Sequence, residues 1–337
     1  MHSTRFTSRI LLTCLFANIF QYTHARPLSK TAQLAQKPLY LTPINTAAFV
    51  FYVVFAIATF FQLYNALRGL SRDKKREAKV PHYRISTGIK FRSLLVFATL
   101  PLITHYTLTA ISIAYDLNRI ASRVSFSFAY YAMRIFTGML ADVIIAGAML
   151  VLVHHRARVS RVPAAPLWKK IMDAALILLL TLYAIVVAVI GATYATMENR
   201  LSMLNIREIF YHMFTAFYIL VVIDIFISAA LISYKLSKDD VEDNIIRRFL
   251  RSIAPLLLLC SKFKLVDDIL LSLPVTVNSL NSIDYDALRL ARAIVLGFIN
   301  FFILYIALDF SEPNPKRYNF DDRQMKERYE LRLKDTK

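Results

Sequence analysis

Ionisable side chains lie inside strongly apolar stretches of this sequence, where a charge at membrane depth indicates a functional or pairing role. One set lies near the middle of these stretches and includes a neutral amide: His105, Asp142, Asp224, Lys262, Lys264 and Asn300. A second set lies nearer one end of the stretches: Arg134, His212, Asp267, Asp268, Asp286, Arg289 and Arg292. Such residues can line a cavity or path for a small molecule or ion. They can equally form ion pairs that only fix helix packing, and the spacing leaves both interpretations open.

The sequence lacks the motifs of several catalytic classes. Only two of the seven histidines, His105 and His212, fall inside the apolar stretches, and neither H-x-x-x-H nor H-E-x-x-H occurs. A G-x-S-x-G elbow, a G-x-G-x-x-G turn and a phosphate-binding P-loop are also missing from the sequence. We therefore expect no metal, no cofactor and no enzymatic activity.

The elements that must position these charges are apolar runs long enough to cross a bilayer. Seven such runs occur, at residues 47–67, 93–115, 130–153, 171–194, 209–234, 253–273 and 287–310. Backbone groups inside lipid must bond within their own segment, so the runs are predicted to be helices. The predicted fold is an all-α membrane protein, a bundle of seven transmembrane helices.

The sixth run is unusual because it contains four charges. Each charge at a helix centre costs about 2.5–3.5 kcal/mol on the insertion scale, so this segment should insert poorly by itself. Lys264 stands three residues before Asp267 and four before Asp268, a spacing that allows pairing within the helix. Lys262 points away from these three residues and requires another helix or water.

Composition and charge indicate a membrane protein with a defined orientation. The chain is 57% hydrophobic and 19% charged, with a net charge of +18, which excludes a disordered chain and argues against a soluble enzyme or nucleic-acid binder. Segments 68–92, 154–170, 235–252 and 311–337 hold 27 Lys or Arg, whereas the alternate segments hold seven. The positive-inside rule places the first group in the cytosol, with the N-terminus outside.

The first 25 residues resemble a secretory signal peptide. Arg5 and Arg9 precede an apolar stretch of 11 residues, and Thr23-His24-Ala25 has small residues where a peptidase cuts. An uncleaved anchor is the alternative. The predicted organisation is a signal peptide at 1–25, a short extracytosolic segment at 26–45, a seven-helix domain at 46–310 and a charged cytosolic tail at 311–337. The expected location is the secretory pathway or the plasma membrane.

A basic cluster follows the first apolar run: Arg72, Lys74, Lys75, Arg76 and Lys79. Each such residue near a membrane surface attracts anionic lipid headgroups by about 1 kcal/mol, although the cluster can also serve only as a topology signal. The mixed-charge tail offers a surface for a cytosolic protein partner.

The seven-span topology resembles that of seven-transmembrane receptors. Residues 314–318 read Asn-Pro-Lys-Arg-Tyr, the N-P-x-x-Y pattern of the rhodopsin-like family, but they follow the last apolar run. The third run ends in Val-His-His-Arg at 153–156, not in that family's acidic-Arg-Tyr triplet. The chain is also similar to fungal seven-transmembrane proteins without an assigned activity. The resemblance covers topology alone and implies no functional residue.

Three functions remain open from the sequence. The first is a receptor-like or sensor-like membrane protein with an unknown ligand. The second is a transporter of a small molecule or ion that uses the buried charges of the third, fifth and sixth runs. The third is a membrane scaffold whose polar residues serve only packing.

Overall fold

A computed structural model of the chain describes residues 43–77, 88–117, 128–159, 166–196, 200–238, 243–272 and 282–311. These residues are almost entirely helical and contain no strand. The helices are α1 (Pro43–Glu77), α2 (Gly88–Leu117), α3 (Phe128–Val159), α4 (Leu167–Thr196), α5 (Arg200–Lys238), α6 (Asn244–Arg248), α7 (Ala254–Ser272) and α8 (Ser282–Ser311).

Six of these helices, α1 to α5 and α8, are long and apolar enough to cross a membrane. The chain is therefore a multi-pass integral membrane protein, as its apolar runs predict. The helices exceed the predicted runs at several ends. In particular, α1 continues past residue 67 to Glu77, so most of the basic cluster lies on a helix and not in a loop. Arg72 is exposed there, and Lys79 lies outside the described residues.

The helices pack in chain order around α3. Each long helix from α1 to α5 packs against the next, and α8 returns to α1 and closes the bundle. The α3 helix contacts α2, α4 and α5, and Ala141, Ala146, Met149 and Leu152 on it are completely buried. Its small residues let neighbouring backbones approach closely, which is how membrane helices gain packing energy without a hydrophobic driving force.

Close packing is visible at two further places. A Cβ added to Gly297 of α8 would overlap the ring of Phe55 of α1, so only glycine permits this approach. The small residues Ala184, Ala188 and Ala192 of α4 are buried, as an interior-facing ladder requires.

The outer surface of the bundle is apolar. On α1, Val50, Val54, Ile57 and Phe61 are each about half exposed or more, and they recur every three or four residues along one face. Such a continuous apolar surface suits contact with the hydrocarbon of a lipid bilayer.

The segment predicted as the sixth span forms a continuous helix. A π-helical segment, Phe249–Ile253, joins α6 to α7, and the three pieces hold 5, 5 and 19 residues. At 1.5 Å per residue they reach about 43 Å, which exceeds the bilayer core. This helix is not one of the six apolar helices, because it contains four charged side chains. Three of the four, Lys264, Asp267 and Asp268, are buried on the face toward the bundle.

Several sequence predictions concern residues outside the described ranges. They are the signal peptide at 1–25, the segment at 26–42, the tail from 312 onward and Lys79. The side chains of Lys74, Lys75, Arg76 and Asp286 also lie outside the described set, although their backbones are helical.

Candidate functional site

The core of the site is an ion pair between a side chain of α3 and a side chain of α7. Lys264 of α7 pairs with Asp142 of α3, and their side chains are only 11% and 10% exposed. The Lys264 Nζ also lies 4.7 Å from the ring centroid of Tyr218 on α5, a cation–π distance. One ammonium therefore joins three helices through a carboxylate and an aromatic face.

The two adjacent aspartates of α7 turn to different helices. Arg292 Nε of α8 donates to Asp267 Oδ1 at 2.7 Å. His212 Nδ1 of α5 lies 2.8 Å from Asp268 Oδ2. The pairing within one helix that the spacing allows is thus not the arrangement found. Lys264, Asp267 and Asp268 lie on the buried face of α7 and pair with α3, α8 and α5.

A second part of the site lies between α2 and α3. Arg134 Nη1 donates to Ser112 Oγ at 2.9 Å, and its guanidinium carbon lies 5.8 Å from the Tyr131 ring centroid. The His105 Nδ1 lies 3.0 Å from the Arg134 carbonyl oxygen. Because a carbonyl only accepts, Nδ1 carries the proton and Nε2 is left as an acceptor in the neutral ring. A Cβ added at Gly138 would lie 2.8 Å from this Nδ1, so Gly138 makes room for the ring.

Aromatic rings extend the site to α1. The ring centroids of Tyr52 of α1 and Tyr106 of α2 are 6.1 Å apart, and the Tyr106 centroid is 5.8 Å from that of His105. The α3 helix carries both Arg134 and Asp142, so it joins the two parts of the site.

We call this set the interior charge cluster. Its members are His105, Arg134, Asp142, His212, Lys264, Asp267, Asp268, Arg289 and Arg292. Arg289 Nη1 donates to Asn45 Oδ1 at 3.4 Å at the edge of the set. Asn300 of α8 is also buried, with 7% of its surface exposed. The structure thus brings together most of the ionisable residues selected from the sequence.

Two of the selected residues lie elsewhere. Lys262 is on the exposed face of α7. Asp224 belongs to a separate group, which we call the boundary cluster: His154, Lys169, Asp173 and Asp224. Its centre is the Lys169 ammonium, which donates to Asp173 Oδ1 at 2.8 Å and to both Asp224 oxygens at 2.5 and 2.6 Å. His154 Nε2 lies 2.7 Å from Asp173 Oδ2.

Three residues of the boundary cluster, His154, Lys169 and Asp173, were not predicted from the sequence, because they lie in a predicted cytosolic segment or at a helix end. One signal was available, since Lys169 and Asp173 stand four residues apart and pair along α4. Sequence reasoning also missed Asp243, which caps α6 by accepting from the backbone N–H groups of Ile245 and Ile246 and pairs with Arg156 of α3 at 2.8 Å. That pair ties α3 to the start of the charged helix.

The described residues contain no group of three or more His, Cys, Asp or Glu side chains that could hold a metal ion. No protein-family model, curated protein or solved structure matches the chain.

Proposed function

We propose that the chain crosses the membrane seven times, with its N-terminus outside and its C-terminus in the cytosol. The α6–α7 segment is long enough to span, the exposed face of α7 is apolar apart from Lys262, and three charged side chains of α7 pair with other helices. The bias of basic residues toward alternate segments supports the orientation. On this topology the interior charge cluster occupies the middle and outer half of the bundle, and the boundary cluster lies toward the cytosol.

The orientation is tested by inserting a glycosylation acceptor loop into segment 273–281 and, separately, into segment 239–242. The sequence contains no N-x-[ST] sequon, so the background is zero. We expect a glycan on the first insertion and none on the second. A chain in which α7 does not cross would place both insertions on the same side of the membrane.

We further propose that the protein is a receptor-like or sensor-like membrane protein in the secretory pathway or plasma membrane. The observation that supports this role most directly is the position of α7, whose buried charges reach three different helices. A ligand that competes for any one of these pairs would shift α7 relative to α3, α5 or α8. Because α7 continues through the π-helical segment into α6, such a shift reaches the Asp243–Arg156 pair at the opposite end.

The chemistry of the cluster favours a small ligand with an acidic group. Arg134 bonds to a neutral hydroxyl and lies over an aromatic ring, so its guanidinium keeps donors for a carboxylate or phosphate. Arg134 would orient an anionic ligand, whose negative charge would then compete with the carboxylates of the cluster for their cationic partners.

A ligand screen tests this role on the purified full chain. Thermal stability is measured with acetate, glutamate, citrate and inorganic phosphate, because a ligand that binds only the folded state stabilises it. We expect at least one anion to raise the melting temperature of the wild type and not of Arg134→Gln, whose unliganded stability serves as the control. Equal shifts in both proteins would refute a role for Arg134 in binding.

Transport is the second candidate, and the boundary cluster favours it. Titratable groups stand in both halves of the bundle, from His212–Asp268 through Asp142–Lys264 to the boundary cluster, as a proton or ion path requires. Flux in proteoliposomes separates the two roles. If Asp142→Asn keeps its abundance and abolishes a wild-type ion or proton flux, the transporter role replaces the sensor role.

A further inference from the structure

The exposed face of α7 carries one charged side chain among apolar ones. Leu259, Val266 and Ile269 are 51%, 53% and 49% exposed, and Lys262 is exposed between them. These four residues follow one another at intervals of three, four and three, the spacing of a helix–helix seam. We call them the α7 stripe.

Lys262 lies at the same depth as the central ion pair of the bundle. It precedes Lys264 by two residues, or about 3 Å along the helix axis. The end of α7 at Ser272 is about 15 Å away, whereas a lysine side chain reaches roughly 6 Å. The ammonium therefore cannot reach the headgroups at that end by extending along the helix, and an unpaired charge in hydrocarbon is unfavourable.

No side chain among the described residues pairs with Lys262, and another copy of the chain would not supply a partner from those residues. Six aspartates of the described long helices already pair within the chain: Asp142, Asp173, Asp224, Asp267, Asp268 and Asp309. Glu208 lies four residues before His212, toward the start of α5 and away from the depth of Lys262. Because the described side chains offer no unpaired carboxylate at this depth, a different protein is the source of the acid that fits Lys262.

We propose that the α7 stripe docks a membrane-spanning helix of another protein, whose Asp or Glu at mid-depth pairs with Lys262. This inference rests on the proposed crossing of α7. The apolar residues on either side of Lys262 supply packing along the seam, and the charge fixes register, as one polar residue does in a helix pair. The partner's carboxylate and the Lys262 ammonium form an ion pair, so neither is left as an unpaired charge in lipid.

The test uses a defined probe, a leucine-rich membrane helix with one central Asp, and an identical helix with Leu at that position. Association of each helix with the full chain is measured by energy transfer in lipid bilayers. Interhelical polar contacts contribute about 1–2 kcal/mol in model helices, so the Asp helix should bind the wild type about tenfold more tightly than the Leu helix. Lys262→Met should abolish this preference, and Lys262→Arg should retain it.

Leu265→Met is the matched control, because Leu265 is exposed on α7 but lies outside the stripe. It should leave the preference for the Asp helix unchanged. Lys262→Met removes a charge from the lipid-facing surface, so we expect its abundance to equal or exceed that of the wild type. Equal binding of the two helices by the wild type, or an unchanged preference in Lys262→Met, would overturn the proposal. If the glycosylation test instead places segment 273–281 in the cytosol, the proposed topology fails and not the pairing chemistry of Lys262.

Discussion

The pair between Asp142 and Lys264 gives the sharpest test of how the bundle is held together. Removing one partner leaves the other as an uncompensated charge in a site where both side chains are about 10% exposed. Breaking a buried pair in this way typically costs about 3–5 kcal/mol. Lys264→Met should lie at the upper end of that range, because it leaves Asp142 charged and also removes the contact with the Tyr218 ring.

The double variant Asp142→Asn/Lys264→Met decides whether charge pairing is the reason. It leaves no buried charge, so we expect it to lose only about 1–2 kcal/mol and to be more stable than Lys264→Met. The corresponding coupling energy is at least about 4 kcal/mol, well above the deviation from additivity seen for distant sites. The detergent-solubilised chain is heated, and the fraction that remains folded is measured by size-exclusion chromatography. Additive losses in the double variant, or single variants as stable as the wild type, would show that the two charges do not interact as described.

Three further predictions concern stability and are checked by the same unfolding assay. Gly297→Ala should cost about 1–3 kcal/mol by driving a methyl group into Phe55, whereas Gly147→Ala, whose added Cβ would meet its nearest atom at 3.9 Å, should be neutral or stabilising. Asp243→Ala should cost more than Asp243→Asn, because asparagine keeps the helix cap of about 1 kcal/mol while both lose the ion pair. Lys169→Met should destabilise by about 1–3 kcal/mol, less than Lys264→Met because its side chain is 22% exposed. Neutralising one of its two carboxylates as well should recover part of that loss, and no recovery would argue against a shared ammonium.

The sequence by itself determined that this chain is an all-helical membrane protein and where most of its helices lie. Apolar runs of this length leave no other way to pair the backbone in lipid, so six of the predicted crossings appear as helices that fit a membrane. It also selected all nine members of the interior charge cluster, because an ionisable residue inside an apolar run can be recognised from the sequence alone.

Only the tertiary structure decided which charges meet. The spacing of Lys264 and Asp268 allowed a pair within one helix, yet the rotation of α7 presents both to other helices, and rotation depends on packing against all neighbours at once. The partners of Lys169 show the same limit, because Asp224 is 55 residues away and joins it through the antiparallel contact of α4 and α5. Sequence records the depth of a charge along its own helix. The direction in which it points is set by the packed bundle, which turns Lys264 inward and leaves Lys262, two residues earlier, facing out.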